Sequence, residues 1–306
     1  MSLGPAQRPN IPPELLEGAR ALSAQARALV LGMRTGIHRS RLRGGGSEFS
    51  EYTPYSPGDD LRHLDWKVLG RTDRYVVRRY LADRVTAVRV LVDRSGSMAF
   101  GTTGGRAAAD WGPWPATKWD AARLLTLALG FTFLRQGDPV GLSMIQPHAP
   151  PALPPKGGES RLGVLASRLL ASPAEGRGDL RRAVEDVAAR GRRDLVVVVS
   201  DLLVEEGDRW LDSLAVHTAR GREAWVLHVV DPAEISFPYE EPTLFRDLEG
   251  AGDLSLNPRE AGRSYREEFA AFLEDRREAC LDRGIRYLRV NTGEPLSGAL
   301  GRFLEG

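Results

Sequence analysis

The sequence predicts an α/β fold: a doubly wound, mostly parallel sheet of Rossmann type, preceded by a smaller N-terminal β-rich subdomain. Three observations carry this. From residue 86 on, five apolar runs (87–92, 140–145, 195–199, 224–230 and 285–290) alternate with helical patterns, the order of βαβ units. Several runs are apolar without a break, as strands of a parallel sheet covered on both faces are. Three of them run into an aspartate: "VLVDRSGS" at Asp93, "VVVVSDLL" at Asp201 and "LHVVDP" at Asp231. In open α/β sheets ligands bind beyond the carboxyl ends of the strands.

In chain order, residues 13–31 are predicted helical. Leu15, Ala19, Leu22, Ala26, Leu29 and Val30 recur at helical spacing and Gly32 stops the run. Residues 34–46 are basic and glycine-rich. The stretch to about residue 84 is aromatic and turn-rich, with Pro57-Gly58 marking a turn, and predicts short strands. Thr117 with Asp120 three residues on is a helix N-cap signal, and Asp179 caps a helix whose Leu180, Val184 and Val187 share a face. A long helix covers about 259–283. The expected organisation is 1–35 as a helical segment, 36–84 as a β-rich segment and 85–306 as the α/β domain.

Net charge is +1, from 42 basic and 41 acidic residues. No whole-protein field draws the chain to nucleic acid or an acidic membrane. Arg34 to Arg43 read as a solvated basic loop. The longest apolar run, "LLTLALGFTFL", is well short of the ~20 residues of a membrane span. The first residues lack a charged segment followed by an apolar one, and the single cysteine, Cys280, reads as a small buried residue. A cytoplasmic protein without membrane insertion is expected.

Asp93, Ser95 and Ser97 alternate after a buried strand, so their side chains can converge as the chain turns. Carboxylate and hydroxyl oxygens suit Mg²⁺, Mn²⁺ or Ca²⁺ rather than zinc. Asp and Ser are also common turn and cap residues. The spacing, and Ser200-Asp201 on a second strand, favour a ligand set. Asp231, alone before Pro232, reads as a turn residue.

"DRSGSM" after a buried strand resembles the metal-ion-dependent adhesion site of von Willebrand factor type A domains. Upstream, Tyr55, Pro57, Gly58, Asp59, Asp60, Arg62, Asp65 and Trp66 match the Y-x-P-G-D-D-x-R-x-x-D-W pattern of the bacterial domain of unknown function 58 family. The resemblance runs from about residue 36 to the end. It implies a von Willebrand factor A-like fold and a metal site using Asp93, Ser95, Ser97 and Asp201, the serines touching the ion and the aspartates acting largely through water. The relatives' second loop supplies a threonine. Here Gly178 stands in its place, in "EGRGDLRRAV", leaving Asp179 or water to fill the gap. Weak metal binding, or none, is therefore expected.

Trp111 and Trp114 lie in a glycine-rich loop. Their rings either fold back on the protein or anchor a partner. For "GDDLRHLDW" the expectation is a structural network, with Arg62 paired to Asp59, Asp60 or Asp65 and Trp66 packed below. No nucleophile with its base, nucleophile elbow or phosphate loop is present. The reading is a non-catalytic, metal-dependent protein-binding module. The family resemblance implies an adaptor working with a MoxR-type AAA+ ATPase in chaperone-like maturation of protein complexes. The alternative is a Mg²⁺- or Mn²⁺-dependent hydrolase using Asp93, Asp201 and the Asp59/Asp60/Asp65 cluster.

Overall fold

The structure, a computed structural model, describes residues 13–32, 49–55, 64–72, 74–80, 86–103, 107–108, 112–113, 115–146, 149–158, 160–188, 194–204, 207–241, 243–246, 248 and 252–305. The chain forms two units, one of residues 39–85 and one of residues 1–38 with 86–306. The first helix, α1 (Pro13–Gly32), buries Ala19, Ala26 and Val30 and packs on helices of the larger unit. It is thus part of the α/β unit rather than a segment of its own.

The smaller unit pairs β1 (Phe49–Pro54) with β2 (Val76–Tyr80) in an antiparallel ribbon. Between them lies a helix, α2 (Trp66–Thr72), where short strands and turns were expected. Asp65 starts it: the Asp65 Oδ1 accepts from Lys67 N at 2.9 Å and Val68 N at 3.3 Å. Leu64 bridges to Val77 and both are buried. Trp66 was expected to pack below Arg62, which lies outside the described residues. Trp66 itself is 66% exposed, because the cap turns Asp65 inward and the first helical residue points out.

The larger unit begins with β3 (Val88–Asp93), which ends in a 3₁₀ turn, Gly96–Ala99. Two-residue strands β4 (Ala107–Ala108) and β5 (Gly112–Pro113) follow. Then come α3 (Lys118–Arg135), β6 (Val140–Ile145) and β7 (Leu153–Lys156). The helices α4 (Arg161–Leu170) and α5 (Leu180–Ala188) lead to β8 (Leu195–Ser200), α6 (Arg209–Ala219) and β9 (Ala224–Val230). A short helix α7 (Pro232–Ser236) and a ribbon of β10 (Thr243–Arg246) and β11 (Asp253–Leu256) come next. The unit closes with α8 (Pro258–Leu281), β12 (Arg286–Asn291) and α9 (Leu296–Glu305).

The main sheet has six strands in the order β12-β9-β8-β3-β6-β7. All pairings are parallel except β6 with β7. The Leu-Pro-Pro-Lys of β7 fits only there, since proline cannot donate to a ladder and is confined to edges. Helices cover both faces. Leu91, Ile145, Val196, Val198 and Val226 pack with residues of α5, α6 and α8. Trp225, the neighbour of Val226, points the opposite way, onto Phe133 of α3 and Phe303 of α9. Among the described residues no helix is long and apolar enough to cross a membrane.

Chain order runs outward from β3 through β6 to β7, then jumps across β3 to β8 and continues to β9 and β12. The reversal falls between β3 and β8, and it places the carboxyl ends of those two strands side by side. That is where such sheets hold ligands.

Asp65→Ala removes the cap of α2. It is expected to cost about 0.5–2 kcal/mol of stability, by the same amount with and without Mg²⁺ in a thermal melt. A loss seen only with Mg²⁺ present would assign Asp65 to a metal site instead.

Candidate functional site

Asp93 is the last residue of β3, and 2% of it is exposed. Its Oδ1 accepts from Ser95 N at 2.9 Å, which curls the chain so that Ser95 and Ser97 face each other, hydroxyls 3.0 Å apart. Ser97 is half-buried at the mouth and also bonds the Asp201 carboxylate. The 175–178 loop lies across this turn. Gly96 N donates to Gly176 O at 2.7 Å, Glu175 N to Arg94 O at 2.9 Å, and the Arg94 guanidinium to Glu175 at 2.9 Å. A Cβ on Gly178 would sit 3.2 Å from Asp93 Oδ1 and 3.5 Å from the Ser95 Cβ. The position where a threonine was expected therefore does face the two loop-one residues.

The end of β8 completes the rim. Ser200 donates its hydroxyl to Asp93 Oδ2 at 2.6 Å and accepts from Leu202 N at 2.9 Å. Asp201 Oδ1 accepts from Leu203 N at 3.2 Å. Leu202 is fully buried with φ at 56°, a left-handed conformation that leucine adopts at a cost of about 1–3 kcal/mol. This strained turn presents Asp201 inward and leaves Leu203 46% exposed beside the rim.

Two buried carboxylates this close require compensation, and sequence reasoning missed its source. Lys118, the first residue of α3, is fully buried. Its Nζ donates to Asp201 Oδ2 at 2.8 Å and to Glu234 Oε1 at 2.5 Å. Burial alone would push the ammonium's pKa down, but the charges of Asp201 and Glu234 outweigh it and hold the pKa above its ordinary value. At Asp201 the order is the same: burial raises the carboxyl and Lys118 more than offsets it, so Asp201 stays ionised. At Glu234 burial prevails and the carboxyl lies above the usual range. One signal for Lys118 was in the sequence. A cation at the first position of a helix opposes the macrodipole, so it needs a carboxylate partner.

The network continues away from the rim. Glu234 Oε2 accepts from Asp231 N at 2.7 Å, and Asp231 Oδ1 accepts from Ala233 N at 2.9 Å, a capping box for α7. Asp231 also accepts from Thr102 N at 2.9 Å and from the Thr292 hydroxyl at 3.2 Å. It is a cap and a tether, as a turn residue before Pro232 would be. Asp179 caps α5, its Oδ1 accepting from Arg182 N at 2.9 Å. Asp65 and Trp66 belong to the smaller unit. Asp59, Asp60, Arg62, Trp111 and Trp114 lie outside the described residues. Among the described residues no three His, Cys, Asp or Glu side chains converge as a metal-ligating group. A cation at the rim would lean on the Ser95 and Ser97 hydroxyls and on water.

Strand order, the single antiparallel edge strand and the Asp-x-Ser-x-Ser turn at the strand-order reversal define a doubly wound, mostly parallel α/β domain. The chain belongs to the family described as Protein of unknown function DUF58, whose model matches residues 51–279. Among its relatives are Uncharacterized protein Rv1480 of Mycobacterium tuberculosis and Uncharacterized protein Mb1516 of Mycobacterium bovis. Each is 28% identical over 264 residues, covering 84% of this chain and 77% of the relative. Solved structures similar to it include the conserved hypothetical protein BatB from Bacteroides thetaiotaomicron (17% identity, TM-score 0.44, 72% of this chain and 97% of that one). Another is the SpRpn10 VWA domain (13% identity, TM-score 0.42, 72% of this chain and 98% of that one).

The Asp93 carboxyl is pushed up to about 6, by burial first and by the Asp201 charge second, against hydrogen bonds from Ser200 and Ser95. A carboxyl raised in the folded state favours folding when protonated. Its contribution is full below the ordinary value of 3.8 and is lost as pH rises through about 6. Without divalent cation, Asp93→Asn is therefore expected to melt above wild type at pH 8 and level with it near pH 4. A variant that melts lower at pH 8 contradicts this electrostatic account.

Proposed function

We propose that this protein is a binding module for another protein, and that the rim formed by Asp93, Ser95, Ser97 and Asp201 is its docking point. These residues would hold a hard divalent cation, Mg²⁺ or else Mn²⁺ or Ca²⁺, leaving a position for an acidic side chain of the partner. The observation that carries the reading is the convergence of hydroxyl and carboxylate oxygens from two adjacent loops at the strand-order reversal. Ser97 stands at the mouth with the exposed Leu203 beside it. Such an arrangement offers an ionic contact flanked by an apolar one, which suits a protein surface. When bound, the cation supplies a Lewis-acidic point for a carboxylate. The chain's own residues would hold it, with the serine hydroxyls as the ligands the resemblance implies and Asp93 and Asp201 supporting them.

The partner proposed is a MoxR-type AAA+ ATPase, with this chain acting as a cytoplasmic adaptor in the maturation of other complexes. Support for the partner comes from family resemblance, an associational warrant. The hydrolase alternative finds less support. Asp201 is committed to Lys118 and Asp65 to the backbone of α2, so neither carboxylate is disposed as a general base.

Two measurements test the reading. In thermal melts against Mg²⁺ and Mn²⁺, a ligand bound only by the folded state stabilises by RT ln(1 + [L]/Kd), about 2.7 kcal/mol at 100 times Kd. The shift is expected to be small in wild type and absent in Asp93→Ala. It should be largest in Gly178→Thr, where a hydroxyl is added at the position facing Asp93. An Asp93→Ala shift equal to wild type would place the metal elsewhere. In a binding assay with the purified MoxR-type ATPase of the same host, wild type should bind in Mg²⁺ and lose binding in EDTA and as Asp93→Ala. Binding indifferent to both would remove the rim from the interface.

A further inference from the structure

Lys118 has no place in a site described only by its oxygen ligands, yet it is among the largest fully buried side chains of the protein. Its ammonium lies on the inner side of Asp201 and is shared with Glu234. Asp201 is thereby claimed from two directions: by Lys118 from within the fold, and by Ser97 from the mouth. The Phe100 ring, whose centroid is 5.9 Å from Nζ, closes another side, so the ammonium has no water to retreat into. It is held where a cation at the rim would feel it as a fixed like charge, across low-dielectric surroundings that screen poorly.

We propose that Lys118 is a built-in counter-cation that sets the metal affinity of the rim, by competing with the divalent ion for the Asp201 carboxylate. Glu234 is the alternative resting place that makes the competition reversible. As a cation settles against Ser95 and Ser97, Asp201 turns its charge toward the ion and the ammonium leans on Glu234. Glu234 is tied through the capping box to Asp231, and Asp231 holds Thr102 at the start of the 101–117 loop. The affinity-setting residue is therefore hydrogen-bonded, step by step, to a loop that leaves the same edge of the sheet. This inference rests on the proposed metal-dependent reading and adds to it the residue that tunes the ion's hold.

The test is Mn²⁺ and Mg²⁺ binding by calorimetry, with the full chain, in wild type, Lys118→Met and Lys118→Arg. Removing a buried unit charge this near is expected to lower the Kd of Lys118→Met at least about tenfold. Lys118→Arg, which keeps the charge, should stay near wild type. Equal affinity in Lys118→Met and wild type overturns the proposal while leaving the metal reading in place. If Lys118→Met does not fold, nitrogen NMR of the wild-type lysine ammonium decides. Mg²⁺ that shifts the Ser95 and Ser97 amides must also shift the Lys118 Nζ signal, and an unmoved Nζ at saturation overturns the proposal. If Mg²⁺ moves neither the serine amides nor Nζ and neither protein binds Mn²⁺, the metal reading itself falls and takes this inference with it.

Discussion

Parallel pairing of β3 with β8 is the constraint from which the rest of the rim follows. Val92 lies in register with Val199, so the next residues, Asp93 and Ser200, end their strands side by side, and the Ser200 hydroxyl reaches the Asp93 carboxylate at 2.6 Å. Strand order reverses between these two strands, the place where such sheets hold ligands. One residue further, Asp201 enters the same buried space. The fold therefore forces two carboxylates together where water cannot solvate them, and some positive charge must answer.

The answer has two levels. Lys118 supplies one unit of charge from the first turn of α3, and breaking such a buried pair costs about 3–5 kcal/mol. That is a large share of the 5–15 kcal/mol by which a domain is stable. The helix is placed for it by a capping box, Thr117 with Asp120, that fixes where α3 begins. Lys118 is shared between Asp201 and Glu234, so Asp93 is left with hydrogen bonds alone, and its carboxyl is pushed up to about 6. The rim is thus stabilised for Asp201 and undercompensated for Asp93. That imbalance, set beside the buried Ser95 hydroxyl and the half-buried Ser97, is the ground on which a divalent cation is proposed to bind there.

Much of this was legible in the sequence. The four inner strands, β3, β6, β8 and β9, are apolar runs, and their burial is the same fact seen twice, whereas β12 at the sheet edge is mostly half-buried. Val140–Ile145 and Ala224–Val230 begin and end where the apolar run does. Asp93, Ser95, Ser97 and Asp201 come together because strand ends in a parallel sheet share one edge. What was not legible depends on distant or weak local signals. The β7 strand, Leu-Pro-Pro-Lys, has no strand propensity and exists because β6 offers it an edge. The α2 helix has seven residues with Gly70 inside and owes its start to Asp65. Lys118 is 83 residues from Asp201 and 116 from Glu234, and nothing in its neighbourhood names either partner. The exposure of Trp66 has no local signal either: it follows from the cap at Asp65, which sets the first helical residue facing outward.

The central claim is that the rim holds more negative charge than Lys118 compensates, and that the deficit falls on Asp93. Carbon NMR of the Asp93 carboxyl, titrated with and without Mg²⁺, measures this directly. A midpoint near 6 without the cation, moving down toward the ordinary carboxylate range when Mg²⁺ is added, is the predicted result. A midpoint already in the ordinary range and indifferent to Mg²⁺ would contradict the account.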